Sequence, residues 1–531
     1  MTEIRGTTWD VIVIGAGMGG GMAGRRLAEA GLSVLFVETG PEAPREDARD
    51  WTEEITDPGE RRARGYWPER IHGTVNGALD TFYGSLGTGV GGTSAFYAAT
   101  LERPARHDLD DSPALPHPTG GWPVGHEAFR PYFALAEDWL QVCGDADPLD
   151  DDPAPVLRTA PPLSAGDMLM METFRRVGLH PYRKHVGVRY LPGCEECFGR
   201  KCARACKMDG RSAGVEPARA TGRAAVLDDC EVLALRGTAA GITHLEARRQ
   251  GEALTLTAGQ FILAAGALGS PRLLLASASE AWPEGCGNAA GLVGRNLMFH
   301  LNERVAIWPE RRVDFTGPIN TISIRDFYLQ EGTRYGHLQS MGISASYGTI
   351  LHTLRERFDR SYLAPLRPLR PLLRFPAMGA ARLFGNARIF VGILEDLPYA
   401  ENRVTYDPAH PSRIIFDYRV MPELVDRRQA FRAAVKAGLG PQRSFFLDMD
   451  PVLNSAHACG TLRFGTDPAT SVLDADCRVH GIPNLHVADA SFMPTSTGIN
   501  PSLTIAANAI RVADRLLARQ SEFERPRQRA F

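Results

Sequence analysis

The sequence predicts an α/β fold, on three observations. A strand, glycine turn, helix and strand open the chain, a second strand-and-turn unit lies in its middle, and a strand followed by a helix lies near its end. The opening unit reads WDVIVIGAGMGGGMAGRRLAEAGLSVLFVETG. Val11–Ile14 is a short apolar run of the kind that forms a buried strand. Gly15, Gly17 and Gly20 fit G-x-G-x-x-G, which permits a tight turn, close backbone approach to a pyrophosphate and close packing of helix on strand. The helix is expected to reach about Ala30 and stop at Gly31, and Ser33–Val37 is expected to be the next strand. Glu38 ends that strand 18 residues after Gly20. A carboxylate there accepts hydrogen bonds from a ribose diol and repels a 2′-phosphate. Glycine patterns alone are weak signals; with both strands, the helix and the acid in place, the unit reads as a dinucleotide site for either FAD or NAD.

The chain has 531 residues, more than one ordinary core organises, so two or three domains interleaved along the sequence are expected. Its 44% hydrophobic and 23% charged content is that of a soluble globular protein. A net charge of −3 gives no reason to expect nucleic acid or a charged membrane as partner. No apolar run approaches the roughly 18 residues of a transmembrane helix, and the start has no secretory core. A cytoplasmic location is the expectation.

Three later segments extend the pattern. GTGVGGTSAFYAATLERP (Gly87–Pro104) is a second glycine-rich turn, and FILAAGALGSPRLLL (Phe261–Leu275) is a strand, a small-residue turn and a helix start. GIPNLHVADASFMPTSTGINPSLTIAANAIRVADRLL gives a strand ending in Asp489, then Asn500-Pro501 and an amphipathic helix to about Leu517. With VGRNLMFH (Val293–His300) and His457-Ala458-Cys459-Gly460-Thr461 in the same order, the chain resembles the glucose–methanol–choline (GMC) oxidoreductases, flavoproteins that oxidise alcohols with FAD.

The resemblance implies a Rossmann-like FAD-binding domain with a second α+β substrate domain over the flavin. It divides the chain into FAD-binding parts at 1–150, 215–305 and 455–531, a Cys-rich insertion at 151–214 and a substrate domain at 306–454. It implies that Gly15, Gly17, Gly20, Glu38, Gly91, Gly92, Thr93, Ser94 and Asp489 touch FAD. Two positions depart from the family pattern: Tyr97 stands where an asparagine is usual, and Phe96 where some members attach FAD through histidine. Non-covalent FAD is therefore expected.

Oxidising an alcohol removes a hydroxyl proton and a carbon-bound hydride, which calls for a base poised near neutrality. The resemblance gives that role to His457, with Asn500 as its hydrogen-bonding partner. Asn500-Pro501 also reads as an N-cap followed by proline at the first helical position. The helix beginning at Pro501 would turn its positive end toward charge developing on the flavin. His300 and His486, beside apolar strands, read as packing residues.

The middle of the chain reads as alternating strands, with a hairpin in NRVTYDPAHPSRIIFDYRV (Asn402–Val420), and is assigned to substrate binding. Leu354–Arg388 is leucine-rich, basic and broken by prolines. A solvated helix pair with its arginines outward is the simplest expectation; a membrane, a partner or the mouth of the site are the alternatives. Asp145–Pro153 reads as a solvated acidic loop that could attract a polyamine sugar.

Four of the nine cysteines, Cys194, Cys197, Cys202 and Cys206, fall within thirteen residues among Arg200, Lys201, Arg204 and Lys207. The spacing leaves open an iron–sulfur cluster, a zinc ion, and plain thiols or disulfides. The resemblance adds weight to the cluster, because some sugar dehydrogenases of the family carry one. A cluster would pass electrons singly to a protein acceptor; without one, oxygen could reoxidise the flavin. The expected substrate is a small-molecule alcohol such as a sugar, glycoside, aminocyclitol or aminoglycoside precursor. A sterol or long-chain alcohol, or lyase chemistry with FAD as structure, are the alternatives. A nucleotide-binding module without catalysis fits less well, since His457 and Asn500 both fall on the motif.

Overall fold

Five parallel strands in the order Leu485–Val487, Ala258–Leu263, Trp9–Ile14, Val34–Val37, Ala224–Leu227 form the nucleotide-binding sheet. The computed structural model describes residues 7–45, 55–150, 152, 155–344, 346–361 and 363–528. Val11, Ile12 and Val13 are fully buried, as are Val34, Leu35 and Phe36 beside them. A parallel strand covered on both faces needs such a continuous apolar run. The chain leaves Trp9–Ile14 for neighbours on opposite sides, first Val34–Val37 and much later Ala258–Leu263, which makes the switch point where α/β sheets bind ligands.

Helix Met18–Glu29 follows the first strand and is buried along Met18–Gly24. The C-terminal helix Ser502–Gln528 packs against it and against helix His126–Trp139. Arg26 pairs with Asp514 at 2.6 Å across that contact. The last helix is thus longer than the apolar pattern predicted.

A second, antiparallel sheet has the order Ser444–Phe446, Met298–Ile307, Arg388–Leu394, Leu338–Ser344, Ile322–Ile324, Tyr182–Arg183. Strand Val452–Cys459 pairs with the first half of Met298–Ile307. Helix Pro422–Leu439 lies behind this sheet and buries Leu424, Phe431, Val435 and Leu439, one stripe of an amphipathic helix. Strands Met298–Ile307 and Val452–Cys459 straddle two of the domain boundaries expected from sequence. The hairpin expected in Asn402–Val420 is present as Arg403–Thr405 against Ile415–Tyr418.

The acidic run is a largely exposed loop, as expected, but ion pairs tie it down. Asp145 pairs with Arg183 at 2.8 Å, buried Asp147 with Arg325 at 3.3 Å, and Asp152 with Arg106 at 2.6 Å. Asp151 and Pro153 lie outside the described residues. Arginines thus hold Asp145, Asp147 and Asp152, while Asp150 is exposed.

Candidate active site

The nucleotide turn is built by backbone meeting backbone. Gly15 has φ +102°, and its N–H donates to Val37 O at 2.8 Å. A methyl group on Gly20 would stand 2.0 Å from the Gly15 carbonyl oxygen, so helix and turn touch only because that position is bare. The second glycine turn packs on the first: Gly91 N–H donates to Ala16 O at 2.8 Å, and a methyl group on Gly92 would lie 3.0 Å from the Gly17 Cα. Gly17 precedes helix Met18–Glu29, which has no side-chain cap and no acid in its first turn. Such an end exposes N–H donors and a positive dipole, the usual seat of a phosphate. The donor set and the bare backbone therefore fit a dinucleotide pyrophosphate.

Glu38 is buried, and its carboxylate accepts from the N–H groups of Ala16 (2.9 Å), Gly40 (3.1 Å) and Gly89 (2.9 Å). Burial raises its pKa against those donors. Oε1 takes two of the bonds and Oε2 one, which leaves Oε2 capacity for a ribose hydroxyl. Asp489 differs. Its oxygens accept from Ser491 N and Oγ on one side and from Gly266 N and Ser270 Oγ on the other. All its acceptor positions are taken, so its side chain locks the last strand to helix Gly266–Ala276, and any cofactor contact would come from its backbone. Thr93 Oγ1 accepts from Gly87 N at 3.1 Å, and Ser94 Oγ donates to Gly91 O at 2.6 Å while accepting from Gly210 N. Both hold the second turn in shape.

His457 lies in strand Val452–Cys459, which a bulge brings against Met298–Ile307. His457 Nδ1 is 3.0 Å from His300 Nδ1, and the rings meet edge to face with centroids 5.0 Å apart. His300 Nε2 lies 2.9 Å from Thr497 O. These contacts fix the protons. A carbonyl only accepts, so His300 Nε2 carries the hydrogen; burial pushes the pKa of that ring down to about 4, so it is neutral and its Nδ1 is bare. His457 must then donate through Nδ1–H, leaving Nε2 with a lone pair. Burial, with His300 and His337 nearby, holds the His457 pKa well below the ordinary value, so that lone pair stays unprotonated.

His300, read from sequence as packing, is thus the group that orients His457. The reading missed it because the pairing spans 157 residues of chain. Asn500 does not cap the last helix. The first helical bond runs from Ile505 N to Pro501 O at 2.9 Å, so the helix begins one residue later, and the Asn500 side chain instead accepts from Gln339 Nε2 at 3.0 Å. His337 and Gln339 sit two apart on strand Leu338–Ser344 and the residue before it, an alternation that could have marked them. The Gln339 side chain lies within hydrogen-bonding reach of His337 and opposes the lowering of its pKa by burial, whereas Thr497 Oγ1 is buried with no partner among the described residues. That hydroxyl needs one from water, cofactor or substrate. His486 is buried in the parallel sheet.

The four clustered cysteines are free thiols lining one cavity of about 180 Å³, together with Arg200, Lys201 and Arg204. Thiol hydrogen bonds link Cys194 to Cys206, Cys206 to Cys202, and Cys202 to Cys197. The bond from Cys197 and the N–H groups of Lys207, Arg204 and Cys206 pull Cys202 down to about 4, whereas Cys197 is pushed up. Among the described residues no three His, Cys, Asp or Glu side chains surround one point as metal ligands. The arrangement therefore gives the iron–sulfur and zinc readings no support. The loop is bolted to the second glycine turn: Lys207 Nζ donates to Tyr97 O (3.2 Å), Cys197 O (2.8 Å) and Arg200 O (2.7 Å), and Tyr97 Oη donates to Met208 O. Tyr97, the departure from the family pattern, is what takes that anchor.

A parallel sheet with a phosphate-binding turn, roofed by an antiparallel sheet that supplies a neutral histidine, defines a flavoprotein oxidoreductase. The chain belongs to the GMC oxidoreductase family: the family's N-terminal model matches residues 12–302 and its C-terminal model residues 398–509. It is 28% identical to paromamine 6'-oxidase of Streptomyces fradiae, over 95% of this chain and 90% of that one. It is 27% identical to 6'''-hydroxyparomomycin C oxidase of Streptomyces lividus, over 95% and 90%. Among solved structures, formate oxidase of Aspergillus oryzae matches with a TM-score of 0.67 at 15% identity, over 98% of this chain and 99% of that one. That likeness shows the fold. The family makes the chain an FAD enzyme acting on CH–OH donors, and no helix among the described residues is long and apolar enough to cross a membrane.

Proposed function

We propose that this enzyme oxidises one hydroxyl of a polar, hydroxyl-rich molecule, a sugar, glycoside, aminocyclitol or aminoglycoside precursor, to a carbonyl. The chain from His457 through His300 to Thr497 O carries the reading, because it leaves one nitrogen free to take a proton. His457 Nε2 accepts the hydroxyl proton of the substrate, and the resulting imidazolium keeps its Nδ1–H on His300. Asn500, held by Gln339, positions the substrate oxygen beside His457. Non-covalently bound FAD would supply the acceptor for the hydride on the carbon that bears this hydroxyl, so that two electrons and two protons leave the alcohol. Gly15, Gly17, Gly20, Glu38, Gly91 and Gly92 hold the nucleotide in this reading, and the end of the last helix at Pro501 offsets negative charge on the ring.

The substrate class is supported by the two relatives whose names concern aminoglycosides and which align along nearly the whole chain. The test is anaerobic bleaching of the flavin by a panel of amino sugars, simple sugars, sterols and long-chain alcohols. Bleaching by amino sugars or sugars alone is expected. Bleaching only by the apolar alcohols would overturn the substrate class, and bleaching by none would overturn the redox reading. Iron, zinc and sulfide per FAD, measured with peroxide release in air, distinguish the acceptors. Metal-free protein that forms peroxide is an oxidase, whereas iron with sulfide would make Cys194–Cys206 a relay to a protein acceptor.

A further inference from the structure

Residues 347–384 leave the roof between strands Leu338–Ser344 and Arg388–Leu394. They form helix Tyr347–Arg360, a 3-10 stretch Ala364–Leu373 with a kink at Leu366, and helix Arg374–Phe384. The sequence PLRPLRPLLRFPAM repeats in threes. A 3-10 helix has three residues per turn, so positions i and i+3 eclipse. Leu369 and Leu372 therefore eclipse, and Leu366 leads into their row across the kink, with Arg367 and Arg370 beside it. Phe375 and Met378 carry the same spacing into the next helix, where i, i+3 neighbours still share a face.

All five apolar side chains of the row are 47–53% exposed, while Ala377 between the last two is buried. The arginines face outward as the sequence suggested, but so do the leucines, which the expected solvated helix pair would have covered. The apolar ground continues: Phe384 meets Trp308 at 5.3 Å and Phe445 at 5.9 Å, and Phe445 is itself 56% exposed. The excursion carries seven arginines against two acids, in a chain whose net charge is −3. One of the acids, Asp359, is paired with Arg370 at 2.9 Å.

We propose that this face seats in the headgroup layer of an anionic lipid bilayer, the leucine row among the upper acyl carbons and the arginines on lipid phosphates. The pattern decides between occupants. Protein interfaces bury a broad patch whose centre is depleted of charge. A bilayer surface accepts a narrow apolar row lined with cations, and that is the pattern of residues 366–378. The contact would be one-sided and reversible, and it stands independently of the substrate.

Sedimentation of the full-length, FAD-loaded enzyme with vesicles tests this, using phosphatidylcholine alone and phosphatidylcholine mixed with phosphatidylglycerol. Binding to the anionic vesicles only, weakened by salt, is expected. The triple variant Leu366→Ser/Leu369→Ser/Leu372→Ser and the double variant Arg367→Gln/Arg370→Gln should each lower partitioning about tenfold or more, with melting point and flavin content unchanged. No binding by the parent enzyme overturns the proposal, as does binding that survives both variants. A parent dimer in light scattering that the leucine variant converts to monomer would also overturn it, giving the face to a second copy.

Discussion

The glycine cradle and the histidine face, which the proposed function joins in one site, are held by opposite means. In the cradle, Gly15, Gly17, Gly20 and Gly92 bring backbone against backbone, and the shape depends on side chains that are missing. On the histidine face, His457 meets His300 and Gln339 meets Asn500 through side-chain atoms, and the proposed function depends on which nitrogen holds a proton. The cradle should fail by overlap, completely. The histidine face should fail by degrees.

The largest effect is expected from Gly20→Ala. Its methyl group would overlap the Gly15 carbonyl, so the variant should be purified without flavin or lost to the insoluble fraction. A yellow, stoichiometrically loaded Gly20→Ala protein would dissolve the contrast. His457→Ala should keep its flavin yet lose about 10²–10⁴-fold in kcat, as removal of a general base does. Stopped-flow bleaching by alcohol at the parent rate would sink its assignment. His300→Ala should cost less, about 10–100-fold, because His457 would remain but lose its orientation. His300→Gln, whose amide oxygen can accept from Nδ1–H, should recover part of that loss; no difference between the two variants would deny the proton arrangement.

The smallest effect is on stability. His300, His337 and His486 are pushed down to about 4 by burial, and His457 is lowered too. Between roughly pH 6.5 and 4 the unfolded chain takes up protons on these four that the native state refuses, which favours unfolding. Glu395 and Asp396, raised by burial to about 8 and 7, hold protons in the native state over that range and offset part of the loss. The net expectation is a melting point that falls as pH drops from 6.5 toward 4. From about pH 6.5 to 8 it should fall gently in the other direction, as the two buried carboxyls lose protons that only the native state holds, and level off above that. A flat profile would show that these groups titrate normally.

The same contrast explains what could be read from sequence. The cradle is local: Gly15–Glu38 carries its turn, helix and acid within one short stretch, so spacing alone gives the geometry. The proposed base His457 is marked by its motif and its proposed partner Asn500 by its place before a proline. The partners of both, His300 and Gln339, come from strands whose pairing depends on the whole sheet, and no local period announces it. Asp489 was legible as important, but not as saturated by its neighbours. The leucine row escaped because a period of three is no signal for an α-helix and only gains meaning once the backbone is 3-10.

The place of the last parallel strand has a consequence for how the molecule is made. Leu485–Val487 covers the outer edge of Ala258–Leu263, and Arg26 waits for Asp514, 488 residues later. On the ribosome the whole roof is synthesised before that edge is paired. Until then the nascent chain carries an unprotected strand edge, a template for joining other chains. Folding of the nucleotide half must therefore wait until Leu485–Val487 has been made, and termination between the roof and Leu485 should yield aggregate rather than a smaller flavoprotein.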